Sequence, residues 1–156
     1  MPDVDEAMVW ECRSFAELSP AQLYRILKLR QDVFILEQDC LYPDIDGLDR
    51  EAQHIFVQQG DSLLAYLRSL PPGLDYGESS LGRIVVSRAA RGRRLGRELV
   101  RRGISYNLGR WPGAGIRIGA QAYLEAFYLD MGFVTDSAVY VEDGIPHIKM
   151  VFAGKA

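Results

Sequence analysis

Apolar residues recur in two rhythms along the first part of the chain, and each rhythm predicts an element. Apolar and polar positions alternate over residues 9–13, which predicts a short strand. Ser19 and Gln22 have the spacing of a capping box around Pro20, so a helix is predicted to begin there. Apolar residues then recur at helical spacing as far as about Leu36, where we expect the helix to end.

The rest of the chain alternates strands with helices. Residues 54–59 and 63–70 have the pattern of an antiparallel hairpin, and the apolar run at residues 81–87 predicts a strand in the centre of the sheet. A helix is predicted from near Arg94 to Arg110, and its expected inner stripe comprises Leu95, Leu99, Ile104 and Leu108. The later elements are predicted as a strand at 116–121, a helix at 123–131, and strands at 139–142 and 147–152.

This order of elements predicts an α/β fold in which helices cover the faces of a mixed sheet. The 156 residues, of which 48% are hydrophobic, fit one domain with a substantial core, so we expect a single domain over residues 1–156. Between Glu37 and Arg50 the apolar rhythm disappears and aspartates accumulate, which predicts an acidic loop. The length of this loop is typical of a functional segment.

Charge is distributed unevenly along the chain although the formal net charge is only −3. Residues 1–80 carry fifteen acidic and six basic side chains, whereas residues 81–156 carry six acidic and twelve basic ones. Nine of the basic residues are arginines between Arg83 and Arg110. This asymmetry is consistent with two ligands of opposite charge, or with a solvated helix face.

The remaining composition excludes several classes of protein. Cys12 and Cys40 lack the spacing of metal ligands and are accompanied by only two histidines, so we expect free thiols and no metal site. The first residues are acidic where a signal peptide would be basic, and no apolar run reaches the length of a membrane span. These features predict a soluble, cytoplasmic protein that does not associate with a membrane.

An anion site is predicted where the apolar strand meets the arginine-rich segment. Residues 81–87 are followed by Arg91-Gly92-Arg93-Arg94-Leu95-Gly96-Arg97 and then by a helix, whose first N–H groups are unpaired and lie at the positive end of the helix dipole. The segment lacks the Gly-Lys-Ser/Thr of a Walker loop. Its two glycines also lack the spacing of a dinucleotide-binding fingerprint. A phosphate ligand of another kind is therefore expected.

The same segment resembles the pyrophosphate loop of the GNAT N-acetyltransferase superfamily, Q/R-x-x-G-x-G/A, across residues 91–96. Arg94 stands where most members have the middle glycine. A second motif follows in order: Gln121, and then Phe127-Tyr128-Leu129-Asp130-Met131-Gly132-Phe133, which is similar to the Tyr-x-x-x-Gly-Phe of the family. Residues 33–38, 42–49 and 142–148 extend the resemblance to the ElaA-like branch.

This resemblance implies a mostly antiparallel GNAT-like sheet, acetyl-CoA as donor and direct transfer of the acetyl group to an amine. Backbone groups of Ile84, Val85 and Val86 are expected to pair with the pantetheine arm, and the Val86 N–H to polarise the thioester carbonyl. The pyrophosphate is expected on the amides from Gly92 to Gly96. Further contacts to coenzyme A are expected from Arg91, Arg93, Arg94, Leu95, Arg97, Gln121 and Tyr128.

Tyr128 is the candidate general acid, since a phenol can protonate a departing thiolate. Glu37 is the first candidate for the general base, because the acidic loop begins there, and His54 is the next. Asp46, Asp49, His147 and Glu125 are the alternatives. Glu37, Asp46, Asp49 and His147 are also expected to contact the acceptor, whose amine is predicted to be cationic because so many of these groups are acidic.

Three functions remain open at this stage. The first is an acetyl-CoA-dependent N-acetyltransferase that acts on a small amine or on a protein amine. The second is an acyl-CoA sensor without transfer activity, which Tyr128 disfavours. The third is a nucleic-acid-binding protein, which the acidic chain and the lack of aromatic residues among the arginines disfavour, so no nucleic-acid partner is expected. A homodimer is compatible with the sequence.

Overall fold

An eight-stranded sheet forms the frame of the protein. The computed structural model describes residues 6–154. The strands are β1 (Met8–Ser14), β2 (Gln53–Gln59), β3 (Ser62–Leu70), β4 (Ser79–Val86), β5 (Ile116–Gln121), β6 (Phe133–Thr135), β7 (Tyr140–Glu142) and β8 (Ile145–Phe152). The α-helices of the described residues are α1 (Pro20–Arg30), α2 (Leu95–Arg110) and α3 (Glu125–Asp130).

The sheet is mixed and mostly antiparallel, as the sequence predicted. Its strands lie in the order β1-β2-β3-β4-β5-β8-β6, and β7 pairs with the other end of β8. The one parallel contact among the described strand pairs is between β4 and β5, and β4 lies in the middle of the order. The element order read from the hydrophobic pattern is therefore confirmed, except that the three-residue strand β6 was not predicted.

Strands β4 and β5 pair only where they begin. Ser79 lies opposite Ile116 and Ser80 opposite Arg117, and the two strands then separate. The Ser87 N–H donates to the Leu64 carbonyl of β3 at 2.8 Å, so the alternation of a β-strand turns the preceding N–H, that of Val86, away from β3 and toward the gap. The sheet thus opens into a wedge with an unpaired strand edge inside it.

Helix α2 packs closely on one face of the sheet. Gly103 makes this possible, because a Cβ there would lie 2.9 Å from Leu67 Cδ2. The predicted inner stripe is correct at Leu95, Leu99 and Ile104, but Leu108 is 42% exposed. Asn107 is buried instead, because it lies one turn after Gly103 on the face that contacts the sheet. Its amide nitrogen donates to the Ser79 hydroxyl and to the Ser80 carbonyl.

Helix α1 covers the other face and continues in an unusual form. Its capping box is present, with Ser19 accepting from the Gln22 N–H and the Gln22 side chain accepting from the Ser19 N–H. After Arg30 the chain runs on as a π-helix over Gln31–Glu37, so the helical segment ends one residue beyond the predicted end. Wide turns of this kind recur at functional sites. Here the π-helix buries Phe34 and brings Glu37 to the wedge.

Two shorter segments complete the frame. The predicted helix at 123–131 is a 3-10 turn over Ala122–Leu124 followed by the short α3. Gly132, with φ of 103°, ends it in a conformation that suits glycine, as expected. Within residues 6–154, helices are either too short or too polar to cross a bilayer.

Candidate active site

The wedge between β4 and β5 opens into a cleft of about 780 Å³. The π-helix, the acidic loop, both strands, the start of α2, α3 with the turn before it and the β7–β8 hairpin contribute to its wall. The cleft thus collects residues from distant parts of the chain. Its wall includes Glu37, Gln38, Tyr42, Ile84, Val85, Val86, Arg91, Gly96, Gln121, Tyr128, Glu142, Asp143 and His147.

A second cavity of about 400 Å³ adjoins the cleft at the N-terminus of α2. Its wall contains Arg91, Gly92, Arg94, Leu95 and Arg97. Gly92 has φ of 87°, and a Cβ at this glycine would meet no atom within 4 Å, so the backbone is open to a ligand. Open amides at a helix N-terminus beside several guanidinium groups fit a pyrophosphate.

Arg94 adopts the conformation that explains the glycine usually found in its place. It is the N-cap residue of α2 and lies in the left-handed region, with φ of 60° and ψ of 22°. A side chain in this region costs about 1–2 kcal/mol relative to right-handed backbone. The strained backbone places the guanidinium group of Arg94 on the wall of the second cavity.

The residues expected to bind coenzyme A are brought together almost completely. Ile84, Val85, Val86, Gln121 and Tyr128 line the cleft. Leu95 and Arg97 line the second cavity with Gly92 and Arg94, while Arg91 and Gly96 line both. Arg93 is exposed and lines neither.

Tyr128 lies on α3 with its ring packed against aromatic neighbours. The ring meets those of Phe127 and Phe133 edge to face, with centroids 5.1 and 5.8 Å away. The residue is only 6% exposed, yet it forms part of the cleft wall. Burial raises the pKa of Tyr128 above its ordinary value, because the phenolate would be poorly solvated. The hydroxyl is therefore protonated at neutral pH and able to donate.

Glu37 lies in the cleft wall but is held by arginines. Its carboxylate accepts two hydrogen bonds from Arg91, at 2.8 and 3.1 Å, and lies 3.3 Å from the Arg88 guanidinium. The hydrogen bonds from Arg91 lower the pKa of Glu37. Arg91 also donates to the Val86 carbonyl. Glu37 therefore fixes the side chain that leads from the strand edge to the second cavity, and its own basicity is reduced.

The acidic loop is turned inward onto arginines. Arg30 is fully buried and pairs with Asp44 at 3.0 Å and Asp49 at 2.8 Å. Arg68 of β3 forms a double hydrogen bond with Asp46 and a further one with Asp49. Neither Asp46 nor Asp49 lines the cleft, so the structure does not bring these two expected acceptor-binding residues to it. Their carboxylates fold the loop instead.

His54 lies outside the cleft and has no lone pair to offer. The residue is 1% exposed. Its Nε2 faces the Asp49 carbonyl at 2.9 Å and must donate to it, so its Nδ1 accepts from the Tyr66 hydroxyl at 2.6 Å. Burial lowers the pKa of His54 and keeps the ring neutral. Glu125 is also absent from the cleft wall, and its carboxylate accepts from the Thr135 hydroxyl at 2.6 Å.

The β7–β8 hairpin supplies the free polar groups of the cleft. Glu142, Asp143 and His147 all reach its wall, and the carboxylates of Glu142 and Asp143 are exposed. Only His147 was named as a site residue from the sequence. Gln38 was also missed: it accepts a hydrogen bond from Gln121 across the cleft at 3.2 Å. An Asp-Gly hairpin turn and a glutamine beside Glu37 give no local indication that they share a cavity.

The chain is similar to known proteins over most of its length. The sequence matches the family of acetyltransferase (GNAT) domains over residues 18–153. It is 42% identical over 143 residues to ElaA of Escherichia coli strain K12, across 90% of this chain and 94% of ElaA. Among solved structures, an acyl-CoA N-acyltransferase from Pseudomonas aeruginosa has a TM-score of 0.89 at 41% identity, across 94% of this chain and 100% of that protein. The crystal structure of E. coli ElaA has a TM-score of 0.88 at 40% identity, across 94% and 99%.

Proposed function

The chain belongs to the GNAT acetyltransferase family, and from this premise we propose that it is an N-acetyltransferase. Membership implies acyl transfer from an acyl-CoA. We further propose that the acyl group is acetyl, that the acceptor is a primary amine and that the protein is cytoplasmic. The amine attacks the thioester carbonyl carbon directly, the new amide bond forms as the carbon–sulfur bond breaks, and the departing thiolate takes up a proton.

The wedge between β4 and β5 is the observation that carries this proposal. Its open strand edge, with the Val86 N–H turned into the gap, offers hydrogen bonds to a pantetheine arm lying along it. The edge leads to the second cavity, where Gly92 leaves the backbone open and Arg94 and Arg97 supply positive charge. The apolar slot fits the pantetheine arm of coenzyme A, and the anion site at its end fits the pyrophosphate. An N–H facing the thioester carbonyl would stabilise the charge that develops on its oxygen.

Tyr128 is proposed as the general acid. Its hydroxyl is protonated at neutral pH, as a phenol is even at its ordinary pKa of about 10, and the residue lies in the cleft wall. A phenol placed there can donate its proton to the departing thiolate. Glu37 is proposed to position Arg91 for the pyrophosphate through their double hydrogen bond. The free carboxylates of the β7–β8 hairpin favour a cationic acceptor.

Two measurements test the proposal. Acetyl-CoA at a hundredfold excess over its Kd should raise the Tm by about 5–10 °C. Release of free thiol in the presence of a panel of primary amines should then reveal transfer. No stabilisation by acetyl-CoA would exclude this function. Stabilisation without turnover of any amine would favour an acyl-CoA sensor over an enzyme.

A matched pair of variants tests the role of Tyr128 as general acid. Tyr128→Phe should lower kcat about a hundredfold, the lower end for loss of a general acid, while the Kd for acetyl-CoA changes less than about twofold. Tyr106→Phe removes a hydroxyl from a tyrosine of α2 whose ring meets that of Trp111 edge to face, away from the cleft, and it should leave kcat unchanged. Equal rates for Tyr128→Phe and the wild type would remove Tyr128 from the mechanism.

A further inference from the structure

His147 has one ring nitrogen fixed and the other free. Its Nδ1 lies 2.7 Å from the Ile145 carbonyl oxygen. A carbonyl can only accept, so Nδ1 carries the proton, and in the neutral ring the lone pair is on Nε2. The nearest carboxylate oxygen, Oε2 of Glu142, lies 3.8 Å from Nε2, beyond hydrogen-bond distance. The free lone pair is thus set by the hairpin backbone.

The ring is also held in place at the cleft. His147 lies directly opposite Gln121 of β5 and opposite Tyr140 of β7, so the three side chains share one face of the sheet. The imidazole stacks on the Tyr140 ring with centroids 5.9 Å apart and planes 28° apart. Its side chain is 12% exposed and belongs to the cleft wall. A proton acceptor is therefore oriented on rigid elements in the wall of the cleft.

Competing bases in the cleft are less suited to this task. Glu37 is neutralised by Arg91 and Arg88. Glu142 is 55% exposed in its side chain, and Asp143 is exposed as well, so neither carboxylate is fixed by packing against the cleft wall. His54, the other histidine of the chain, is buried with both nitrogens bonded. Among the described residues, the ionisable groups recorded next to the His147 ring are Tyr140, which stacks on it, and Glu142, at 3.8 Å.

We propose that His147 is the general base that removes the proton from the acceptor ammonium. This inference rests on the proposed N-acetyltransferase function. Nε2 takes one proton from the ammonium, and the freed amine attacks the thioester carbonyl carbon. The nitrogen loses its second proton as the carbon–sulfur bond breaks, and Tyr128 protonates the departing thiolate. Each turnover releases one proton to solvent, while the other amine proton replaces, through solvent, the one that Tyr128 gave to the sulfur. Glu142, at 3.8 Å, stabilises the imidazolium.

Amine basicity provides a test that separates proton removal from a structural role. A strongly basic amine such as ethylamine needs a base at pH 7.5, whereas trifluoroethylamine, of similar size, is mostly neutral already. His147→Gln should lower kcat/KM for ethylamine by about a hundredfold or more, which is the range for loss of a general base. For the weakly basic trifluoroethylamine the loss should be less than about tenfold. Added imidazole should restore part of the lost rate.

Controls and a second readout keep the outcomes distinct. His54→Gln, which alters a buried structural histidine, should affect both amines equally. Nitrogen NMR of the wild type should show that the neutral His147 ring carries its proton on Nδ1 and none on Nε2. The opposite tautomer, or an equal loss for both amines in His147→Gln, would overturn the assignment while leaving the N-acetyltransferase function intact. A wild type that binds acetyl-CoA but transfers to no amine would overturn both.

Discussion

Two acidic segments meet beside the cleft, and they differ in what their carboxylates face. In the loop at residues 39–51, Asp44, Asp46 and Asp49 point at buried arginines and are largely shielded from solvent. In the β7–β8 hairpin, Glu142 and Asp143 are exposed and lie on the cleft wall. The segments touch where the Cys40 thiol donates to the Asp143 carbonyl at 3.1 Å.

The difference shows that acidic composition does not by itself identify a binding surface for a cation. A carboxylate that already has a guanidinium partner adds little attraction for a substrate amine, since the pair is close to neutral. The loop therefore acts as a support that holds Tyr42 and Pro43 in the cleft wall. The hairpin carboxylates instead stay exposed on the cleft wall.

Removal of Arg30 should have the largest effect on stability. Arg30→Met leaves the Asp44 and Asp49 carboxylates buried without one of their partners, so the free energy of unfolding should fall by about 3–5 kcal/mol. Urea denaturation measures the loss. Arg25→Met is the matched control on the same helix, because Arg25 pairs with a fully exposed Asp61, and it should cost less than about 1 kcal/mol. Similar losses in the two variants would contradict a supporting role for the loop.

Acid should weaken the ion pairs that hold the loop. Partial burial of Asp46 works against its ionisation, but the hydrogen bonds from Arg68 prevail and lower its pKa to about 2. Arg30 and Arg68 likewise lower the pKa of Asp49, against its burial. A depressed pKa stabilises the folded state above the ordinary value near 4, and this stabilisation disappears as the pH falls from there toward 2.

The contribution of Asp46 is on the order of 1 kcal/mol once solvent screening is included. Unfolding of the wild type should therefore become easier as the pH is lowered from 5 to 2, and the slope should be shallower in Asp46→Asn. Asp61→Asn, which alters an exposed carboxylate, should retain the wild-type slope. An unchanged slope in Asp46→Asn would show that the ion pairs with Arg68 do not stabilise the fold.

The sequence predicted the donor side of the cleft better than the acceptor side. Strand β4, Gly92 and the start of α2 are contiguous, so a local motif contained their geometry. The role of Asp49 depends on Arg30, nineteen residues earlier, and on Arg68, nineteen residues later. Local periodicity carries no such information.

An indication of this network was nevertheless present in the sequence. Arg30 occupies an inner position of α1, four residues after the buried Ile26, and Arg68 interrupts an apolar strand. Arginines at core positions require buried partners, and the aspartate-rich loop was the available source. The resemblance to the GNAT family predicted the fold and most of the residues that line the two cavities. The three-dimensional contacts of the loop distinguished its paired carboxylates from those of the hairpin.

Neutralising the hairpin should change acceptor binding rather than stability. Asp143→Asn preserves the left-handed backbone at this position, where φ is 51°, because asparagine tolerates that conformation. If the acceptor is cationic, its KM should rise about two- to fivefold, the value of one exposed ion pair, and the difference should shrink in high salt. Asp39→Asn is the matched control, since Asp39 is exposed, has φ of 50° and lies outside the cleft wall. Equal KM changes in both variants would remove the distinction between loop and hairpin.

The contact between the two segments should have the smallest effect. Cys40→Ala removes the thiol that donates to the Asp143 carbonyl, a weak hydrogen bond, and shortens a side chain that is 7% exposed. We expect a loss of about 0.5–1 kcal/mol in the free energy of unfolding. Cys40→Ser keeps a donor at this position and should recover part of the loss, while Cys12→Ser, at an exposed thiol, should be neutral. If Cys40→Ala instead raised the KM for a cationic amine as much as Asp143→Asn does, the loop would position the hairpin charge, and the two segments would form one functional unit.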